Sequence, residues 1–391
     1  MSQSIALILM AAGDSTRFCT QENLSIKKQW LRVGDLALWQ KVAQDFCALY
    51  EFSQIIITAS PKDYEYMKNL SPHTIVLGGK NRCDSVRNAM EKVKSEFVLI
   101  SDVARCIIDE SVIARLLECT TNAGFACAVP YINVPDTAFY QGEYLMREDI
   151  KLIQTPQLSK ADILRNALQN KNDFSDESSA IHTLGKKIDF IKGSPLLKKL
   201  TSWEDLTYFM QLGSSAKTLM PPSDERFWGS GFDVHAFEND KTMVLGGVSI
   251  ESSVGFKAHS DGDVVLHALC DSILGAMNAG DIGQWFPDNA KEFAGADSAI
   301  LLQEVLQYAS SVGFEVVFVD ITIMAQVPKI APHKARMQER IAQILDISKA
   351  KVSIKATTTE SLGFIGRGEG VAVSANACLR FIAWHKFLHL N

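Results

Sequence analysis

The chain has 391 residues, of which 47% are hydrophobic and 21% are charged, and its formal net charge is −6. This length exceeds one ordinary domain and predicts two. The composition is that of a soluble globular protein, and the negative charge argues against a general nucleic-acid binder. The apolar run at residues 5–12 is too short to span a bilayer, and the eight cysteines stand without a C-x-x-C pair. We therefore expect a cytoplasmic protein with reduced thiols and no membrane contact.

Short apolar runs alternate with helix-like segments through the first half of the chain. Strands are predicted at Ile5–Met10, Gln54–Thr58, Phe97–Ser101, Phe125–Val129 and Ile188–Ile191. Helices are predicted at Leu38–Tyr50, Cys83–Lys94 and Glu110–Thr120. This alternation predicts a Rossmann-like α/β domain with a mostly parallel sheet, whose ligands bind beyond the carboxyl ends of the strands.

A polar stretch rich in serine and proline separates the two halves. Gly213-Ser214-Ser215 and Pro221-Pro222-Ser223 predict a linker at residues 213–225, between one domain at 1–212 and another at 226–391. Beyond it, strands are predicted at Met243–Ile250, Val317–Ala325, Val352–Ala356 and Val371–Phe381. Helices are predicted at Asp263–Ala279, Ala299–Val312 and Ala335–Leu345. We expect an α+β domain, with a sheet that carries helices on one face.

Small and basic residues follow the first predicted strand and recur at later strand ends. Gly13 lets backbone N–H groups approach a triphosphate, and Arg17 offers it a bidentate charge. Asp102 follows the strand at Phe97–Ser101, where a carboxylate can hold the Mg²⁺ that accompanies a triphosphate. The candidate residues, in chain order, are Gly13, Arg17, Lys28, Gly79, Ser85, Asp102, Arg105, Thr137, Arg147 and Lys199.

This ordered set resembles the 2-C-methyl-D-erythritol 4-phosphate cytidylyltransferase family over roughly residues 4–210. The resemblance implies attack of methylerythritol phosphate on the α-phosphate of CTP, with release of pyrophosphate. It implies that Arg17 and Lys28 stabilise the charge of the transition state, and that Arg147 and Lys199 hold the substrate's phosphate. Two alternatives stay open within it, because Lys27 adjoins Lys28 and Lys198 adjoins Lys199.

A metal-binding pattern opens the second half. Asp233 and His235 lie two residues apart, so that an extended segment directs both side chains to one face. Asp263 is a candidate N-cap, and His267 lies about one turn into the helix that follows. One carboxylate and two imidazoles are zinc-type ligands, and three protein ligands leave a fourth position open for catalysis.

These residues resemble 2-C-methyl-D-erythritol 2,4-cyclodiphosphate synthase over roughly residues 226–383. The resemblance implies that a substrate phosphate attacks the β-phosphate of its own CDP group, closing a ring and releasing CMP. It implies Zn²⁺ on Asp233, His235 and His267, a Mg²⁺ or Mn²⁺ on Glu360, and transition-state stabilisation by His259 and Thr358. The implied substrate contacts are Ser260, Asp281, Gly283, Phe286, Asp288, Ala325, Lys329, Thr357, Thr359, Phe364 and Arg367.

The two resemblances leave assembly and substrate to be tested. They imply dimeric transferase domains and trimeric synthase domains, which one chain can satisfy as a hexamer. The two implied steps flank a kinase step, and the sequence has no G-x-x-x-x-G-K-[ST] loop to perform it. Two alternatives are a sugar-phosphate nucleotidyltransferase joined to a zinc phosphohydrolase, and a nucleotide-binding scaffold with an inactive first domain.

Overall fold

The computed structural model describes residues 4–19, 25–122, 124–169, 173–212, 219–258, 260–287 and 295–388, without the side chains of Arg17 and Cys19. The chain divides into two compact units, one of residues 1–221 with 384–391 and one of residues 222–383. Within the described ranges, no helix combines the length and apolar character needed to cross a bilayer.

The first unit alternates strands and helices along most of its length. Its strands are β1 (Ile5–Met10), β2 (Arg32–Val33), β3 (Leu36–Ala37), β4 (Gln54–Ala59), β5 (Thr74–Leu77), β6 (Phe97–Asp102), β7 (Cys127–Asn133), β8 (Ala138–Tyr140), β9 (Glu143–Leu145), β10 (Lys151–Ile153), β11 (Gln157–Lys160) and β12 (Ile188–Lys192). Its helices are α1 (Thr16–Cys19), α2 (Leu38–Leu49), α3 (Tyr64–Leu70), α4 (Arg82–Met90), α5 (Glu110–Cys119), α6 (Ala161–Ala167), α7 (Glu177–His182) and α8 (Trp203–Gln211).

The core of this unit is a mixed sheet in the order β10-β7-β11-β6-β1-β4-β5, with β12 beside β7. Strand β1 pairs in parallel with both β4 and β6, and its apolar run is buried because both faces of the sheet are covered. Strand β11 enters antiparallel between β6 and β7. The prediction of an α/β domain with a mostly parallel sheet is confirmed. The carboxyl ends of β1, β4, β5 and β6 meet at one edge.

A two-stranded arm, formed by the antiparallel pair β8 and β9, carries exposed aromatic and apolar side chains. Phe139 is 63% exposed and Tyr144 is 78% exposed, although their rings are in contact at 5.0 Å. The turn after the arm exposes Met146 as well. Side chains of this size are seldom left in water together without a partner surface.

The second unit is a sheet in the order β16-β13-β19-β17-β18, with helices packed on it. Its strands are β13 (Arg226–Asn239), β14 (Met243–Leu245), β15 (Val248–Ile250), β16 (Val254–Phe256), β17 (Phe314–Met324), β18 (Val352–Thr357) and β19 (Gly370–Phe381). Its helices are α9 (Val264–Met277), α10 (Ile282–Trp285), α11 (Ser298–Ser311), α12 (Lys334–Leu345) and α13 (Gly363–Gly366). The predicted α+β class is confirmed.

One strand prediction in this unit was wrong. Residues Met243–Ile250 form the hairpin of β14 and β15 instead of a single strand. The turn is made by Gly246 and Gly247, whose φ angles of +62° and +70° are open to glycine and costly for other residues. An alternating apolar pattern does not distinguish a strand from a tight hairpin when both arms are three residues long.

Helix α9 lies unusually close to β13, and this contact positions the metal-type residues. A Cβ on Gly229 would lie 2.1 Å from the Ser272 carbonyl oxygen, and a Cβ on Gly231 would lie 2.0 Å from that of Ala268. Asp233 and His235 continue the same face of β13, because successive side chains of a strand alternate. The opposite face exposes apolar side chains, with Trp228 at 66% and Phe232 at 61%.

Candidate active sites

A cavity of about 480 Å³ opens at the edge of the first sheet, where β1, β4 and β6 end. Six of the residues predicted from sequence line it, namely Gly13, Lys28, Gly79, Ser85, Asp102 and Lys199. Residues Ser15, Gln29, Ser60, Asn81 and Arg82 also contribute to its wall. The sheet therefore brings together residues that are up to 189 positions apart in the sequence, from Met10 to Lys199.

A loop that contains Gly78 and Gly79 lines one side of this cavity. A Cβ on Gly78 would lie 2.5 Å from that of Ala12, and a Cβ on Gly79 would lie 2.1 Å from that of Asp84. Ser85 Oγ accepts a hydrogen bond from the Gly79 N–H at 2.9 Å. The loop thus passes closely against both the β1 turn and the start of α4, where only glycine fits.

The two adjacent lysines of the first loop have different environments. Lys27 Nζ lies 2.8 Å from both carboxylate oxygens of Asp63, a side chain with no exposed surface. Lys28 lines the cavity, and its N–H donates to Ser15 Oγ at 3.0 Å. Gln29 Nε2 donates to the Gly13 carbonyl oxygen at 2.9 Å and joins the same two segments. The structure places Lys28, and not Lys27, at the cavity.

Asp102 sits at the centre of a charged network. Lys199 Nζ donates to one of its oxygens at 2.7 Å, and Arg82 Nε donates to the other at 3.4 Å. Arg82 also forms a bidentate pair with the buried carboxylate of Glu177, at 2.7 and 3.3 Å. Burial on its own raises the pKa of Asp102, but the charges of Arg82 and Lys199 outweigh it and leave this pKa below its usual value. Asp102 is therefore an ionised carboxylate at neutral pH.

The two lysines near residue 199 are also distinguished. Lys199 lines the cavity, whereas Lys198 pairs with Asp205 at 2.8 Å and lies over the Tyr208 ring. Arg105 lies behind the cavity wall, where Nε donates to Thr155 Oγ1 at 2.9 Å and Nη1 donates to the Leu197 carbonyl oxygen. Arg105 thus helps to fix the position of the segment that carries Lys199.

Two further predicted residues of the first half, Thr137 and Arg147, do not line the cavity. Thr137 and Arg147 flank the β8–β9 arm, and both are exposed. Arg147 donates to the Pro135 carbonyl oxygen at 3.2 Å and to Glu148 at 3.1 Å. Arg17 is the second residue of α1, and its side chain lies outside the described part of the chain.

Among the residues that the structure describes, Asp233, His235 and His267 form a metal-type cluster in the second unit. Their ligand atoms all lie within 4.8 Å of one another. Asp233 Oδ2 is 3.2 Å from His235 Nε2 and 3.2 Å from His267 Nδ1. The two imidazole rings meet edge to face, with centroids 5.1 Å apart.

The outer nitrogen of each imidazole is held by a neighbouring oxygen. His235 Nδ1 lies 2.9 Å from the Gly262 carbonyl oxygen, and His267 Nε2 lies 2.9 Å from Ser298 Oγ. Such contacts fix the ring orientation and leave the inner nitrogen to a ligand. Burial raises the pKa of Asp233, yet hydrogen bonds to His235 and His267 outweigh it and leave that pKa well below its usual value. Burial lowers the pKa of His235, but Asp233 outweighs it and raises this pKa.

Asp263 organises the backbone around this cluster. Its buried carboxylate accepts from the N–H groups of Val265 and Leu266 at the start of α9, as the N-cap prediction expected. It also accepts from Gly246 and Gly247 at 2.8 and 2.6 Å, which ties the β14–β15 turn to the same point. Ser260 Oγ lies 3.3 Å from His267 Nε2 and joins the group that surrounds this ring.

Two of the predicted substrate-contact segments meet at the end of the second sheet. Strands β17 and β18 are parallel, with Met324 opposite Thr357, and the Ala325 N–H donates to the Thr357 carbonyl oxygen at 3.0 Å. Lys329 lies in the exposed turn that follows. Asp281 caps the short helix α10, which carries Gly283, and the adjacent Phe286 is 7% exposed.

The loop between β18 and β19 is largely exposed in the single chain. Thr358 Oγ1 donates to Glu360 at 3.0 Å, Thr359 Oγ1 donates to the Leu362 carbonyl oxygen at 2.7 Å, and Arg367 Nε donates to Glu369 at 2.7 Å. Phe364 is 37% exposed. Two predicted residues, His259 and Asp288, lie outside the described part of the chain.

Several contacts around these sites were not predicted from sequence. Arg82 and Glu177 are 95 positions apart, and Ser298 is 31 positions from His267. The only local signals were the glycine loop before Arg82 and the cap before Glu177, where Asp176 accepts from the Ser179 N–H. Contacts between residues that are far apart in the chain follow no spacing pattern that a single sequence could reveal.

Comparisons with known proteins agree with this geometry. Residues 5–211 match the family model for 2-C-methyl-D-erythritol 4-phosphate cytidylyltransferase, and residues 227–380 match the YgbB family. A bifunctional enzyme IspD/IspF of Wolinella succinogenes is 47% identical over 391 residues and the full length of both chains. One of Campylobacter fetus is 46% identical over 98% of this chain and 99% of that relative.

A solved structure also matches this chain in its fold. The structure of the bifunctional IspDF from Campylobacter jejuni has a TM-score of 0.85 and 41% identity, covering 98% of this chain and all of that one. These findings do not favour a sugar-phosphate nucleotidyltransferase joined to a phosphohydrolase, or an inactive scaffold. The chain belongs to the bifunctional IspD/IspF family, and it is a cytidylyltransferase and a cyclodiphosphate synthase of non-mevalonate isoprenoid synthesis.

Proposed function

We propose that the cavity of the first unit binds CTP beside methylerythritol 4-phosphate. The observation that carries this proposal is the set of cationic side chains, Lys28, Arg82 and Lys199, around one cavity that is walled by two glycine-containing turns. A phosphate oxygen of methylerythritol phosphate attacks the α-phosphorus of CTP. A new P–O bond forms, the bond to the β-phosphate breaks, and pyrophosphate leaves. Such transfers depend on positioning and charge neutralisation, which this cavity offers.

Each charged residue of the cavity has a proposed role. Lys28, together with Arg17, stabilises the charge that develops on the α-phosphate. Lys199 binds the phosphate of methylerythritol phosphate, and Arg105 holds the segment that carries it, through Leu197. Gly13, Gly79 and Ser85 shape the nucleotide pocket.

The cavity also has a carboxylate that fits a magnesium ion. Asp102 is ionised, lines the cavity and lies beside the position proposed for the triphosphate. Mg²⁺, when bound with the nucleotide, supplies further neutralisation of phosphate charge. Asp102 also orients the side chains of Lys199 and Arg82, because it accepts a hydrogen bond from each.

In the second unit, we assign a zinc site to Asp233, His235 and His267. One carboxylate and two imidazoles with oriented outer nitrogens fit this ion in number and type. Zn²⁺, when bound, supplies Lewis-acid polarisation of a diphosphate. Ser298 and the Gly262 carbonyl oxygen hold the two rings in place.

The other predicted residues of the second unit bind the CDP-methylerythritol phosphate. The Ala325–Lys329 turn and Thr357–Thr359 hold the cytidine and its phosphates, and Asp281 and Gly283 bind the ribose. Phe286 and Asp288 contact the methylerythritol group. Thr358 and His259 stabilise the transition state, with Ser260 beside them. Glu360 holds a second divalent ion, and Phe364 and Arg367 complete the phosphate-binding loop.

We propose that both sites are completed by further copies of this chain. The exposed sheet face with Trp228 and Phe232 supports a trimer of second units, which would also cover the exposed loop that carries Glu360. The exposed arm between Thr137 and Arg147 supports a dimer of first units, in which the arm of one copy reaches the cavity of another. Combined trimer and dimer contacts close as a hexamer.

We also propose that the enzyme works in the cytoplasm. Among the described cysteines, the buried free thiols are Cys83, Cys106, Cys127, Cys270 and Cys378, a state that reducing compartments maintain. The substrates are small phosphorylated molecules, and neither activity requires a nucleic acid or a membrane.

Phosphorus NMR tests the proposed activities together. The purified chain is incubated with CTP, methylerythritol phosphate, Mg²⁺ and Zn²⁺, with ATP and a separately purified kinase for the intervening step. Pyrophosphate, CMP and a cyclic diphosphate are expected. Absence of pyrophosphate would refute the proposed transfer, and pyrophosphate without the cyclic product would refute the role of the second unit.

A further inference from the structure

The end of the chain belongs to the first unit, although it follows the last strand of the second. Residues 384–391 group with residues 1–221. The side chain of Trp384 is 1% exposed, and its Nε1 donates to the Arg32 carbonyl oxygen at 2.7 Å. Leu388 is 8% exposed, whereas Phe387, in the same turn, is 40% exposed. The segment is thus anchored by particular side chains.

Arg32, whose carbonyl oxygen accepts this hydrogen bond, closely follows Lys28, which lines the cavity, in the sequence. Arg32 forms β2, is 5% exposed and holds its guanidinium 5.7 Å from the centroid of the Trp30 ring. Trp30 is itself buried and stacks on Tyr66 at 5.2 Å. Trp30 ends the 3-10 turn that begins at Lys28, and Lys28 lines the cavity. Only the short backbone segment of residues 28–32 therefore separates Lys28 from the carbonyl group that Trp384 contacts.

Residues of the predicted linker also contact the turn between β2 and β3. The Gly34 N–H donates to the Pro221 carbonyl oxygen at 3.1 Å, and Leu219 is 2% exposed. The β2–β3 turn is thus held by two segments that come late in the chain. A turn of two-residue strands has little stability alone and depends on such contacts.

We infer that Trp384 is a positioning residue for the cytidylyl transfer, acting through Arg32 and Trp30 on Lys28. This inference rests on the role of Lys28 in the proposed function. The indole of Trp384 fills a buried site, and its N–H satisfies a buried carbonyl group. Without this side chain, β2 loses a hydrogen-bond donor, and the turn that begins at Lys28 gains conformational freedom. The first reaction thus depends on a residue that follows the whole of the second unit in sequence.

The test compares Trp384→Ala with Phe387→Ala, an exposed aromatic residue three positions away. Pyrophosphate release from CTP and CMP release from CDP-methylerythritol 2-phosphate are measured separately on the full chain. Trp384→Ala is expected to lower kcat/KM for the transfer by about 10- to 100-fold, because small displacements of catalytic groups cost this much. CMP release by Trp384→Ala, and both reactions of Phe387→Ala, are expected to stay within about twofold of the parent. Transfer by Trp384→Ala within about twofold of the parent would overturn the inference.

A double-mutant cycle with Lys28→Ala separates positioning from a general loss of folded enzyme. If Trp384 acts through Lys28, adding Trp384→Ala to Lys28→Ala changes the residual transfer rate by less than about twofold. A loss equal to that of Trp384→Ala in the parent would mean damage elsewhere and would overturn the inference. Full transfer by Lys28→Ala alone would instead refute the proposed role of Lys28, which is a separate result.

A conservative variant covers the case in which Trp384→Ala does not fold. Trp384→Phe keeps an aromatic ring in the buried site and lacks the donor to Arg32. It is expected to lower the transfer by about 2- to 10-fold, the equivalent of one lost hydrogen bond, with CMP release unchanged. Transfer by Trp384→Phe equal to the parent, in a protein whose Trp384→Ala variant is unfolded, would show a purely structural role and overturn the inference.

Discussion

Lys27 and Lys28 are adjacent, and their replacement is expected to have opposite consequences. Lys27 Nζ contacts both carboxylate oxygens of Asp63 at 2.8 Å, and the Asp63 side chain has no exposed surface. Removing the partner of a buried charge costs about 3–5 kcal/mol. At about 2–4 °C per kcal/mol for a unit of this size, Lys27→Ala should lower the unfolding temperature of the first unit by about 10 °C. Its kcat for transfer should change little, because Lys28 keeps its place at the cavity.

Lys28→Ala should show the reverse pattern. Lys28 lines the cavity and is proposed to stabilise charge on the α-phosphate, so its loss should lower kcat for transfer by about 10²- to 10³-fold. Its unfolding temperature should fall by less than that of Lys27→Ala, because Lys28 lines the open cavity whereas Lys27 pairs with the buried Asp63 carboxylate.

Differential scanning calorimetry and pyrophosphate release, applied to both variants, measure the two effects. The transition of the first unit is identified by its upward shift with CTP. Lys92→Ala, which removes an exposed lysine, serves as the control and should change neither quantity. A kcat loss for Lys27→Ala as large as that for Lys28→Ala, or a loss below about tenfold for Lys28→Ala, would refute the assignment.

Three further experiments test the remaining assignments. His267→Ala and Asp233→Asn should abolish bound zinc, measured by elemental analysis, and CMP release, while pyrophosphate release persists; CMP release by zinc-free His267→Ala would contradict the metal assignment. Glu177→Gln removes the charge that holds Arg82 and should lower transfer by about tenfold at unchanged CMP release, and an unaffected kcat/KM would show that this pair has no catalytic consequence. Arg147→Ala and Lys28→Ala, each impaired in transfer, should regain activity when their subunits are mixed and reassembled, and no recovery would argue against a site shared between copies.

The local pattern of the sequence predicted several of the main strands and helices. The buried run of β1 was predicted over Ile5–Met10 and observed there, because a central parallel strand is apolar along its whole length. The cap at Asp263 and the position of His267 one turn later followed from residue type and helical spacing. Short elements, such as β5 and the β8–β9 arm, were missed, because three or four residues carry too little periodicity to register.

The motifs also indicated which residues to consider, and the tertiary structure distinguishes the environments of the adjacent lysines that the motifs left open. Two adjacent lysines have the same local sequence, so nothing in it can assign Lys27 to Asp63 and Lys28 to the cavity. That choice depends on where α3 places Asp63, a consequence of how β4 and its following helix pack.

The sequence by itself indicated two domains and the metal-type triad from residue type at short spacing, and it indicated their chemistry through its resemblance to two enzyme families. Only the tertiary structure decided that Glu177 holds Arg82, that Ser298 orients His267, and that Trp384 packs beside Arg32, 352 positions away. These contacts join elements that are distant in the chain, and they form where burying apolar surface brings strands and helices together. A single sequence carries no spacing rule for such pairs, since any intervening length of chain can be folded elsewhere.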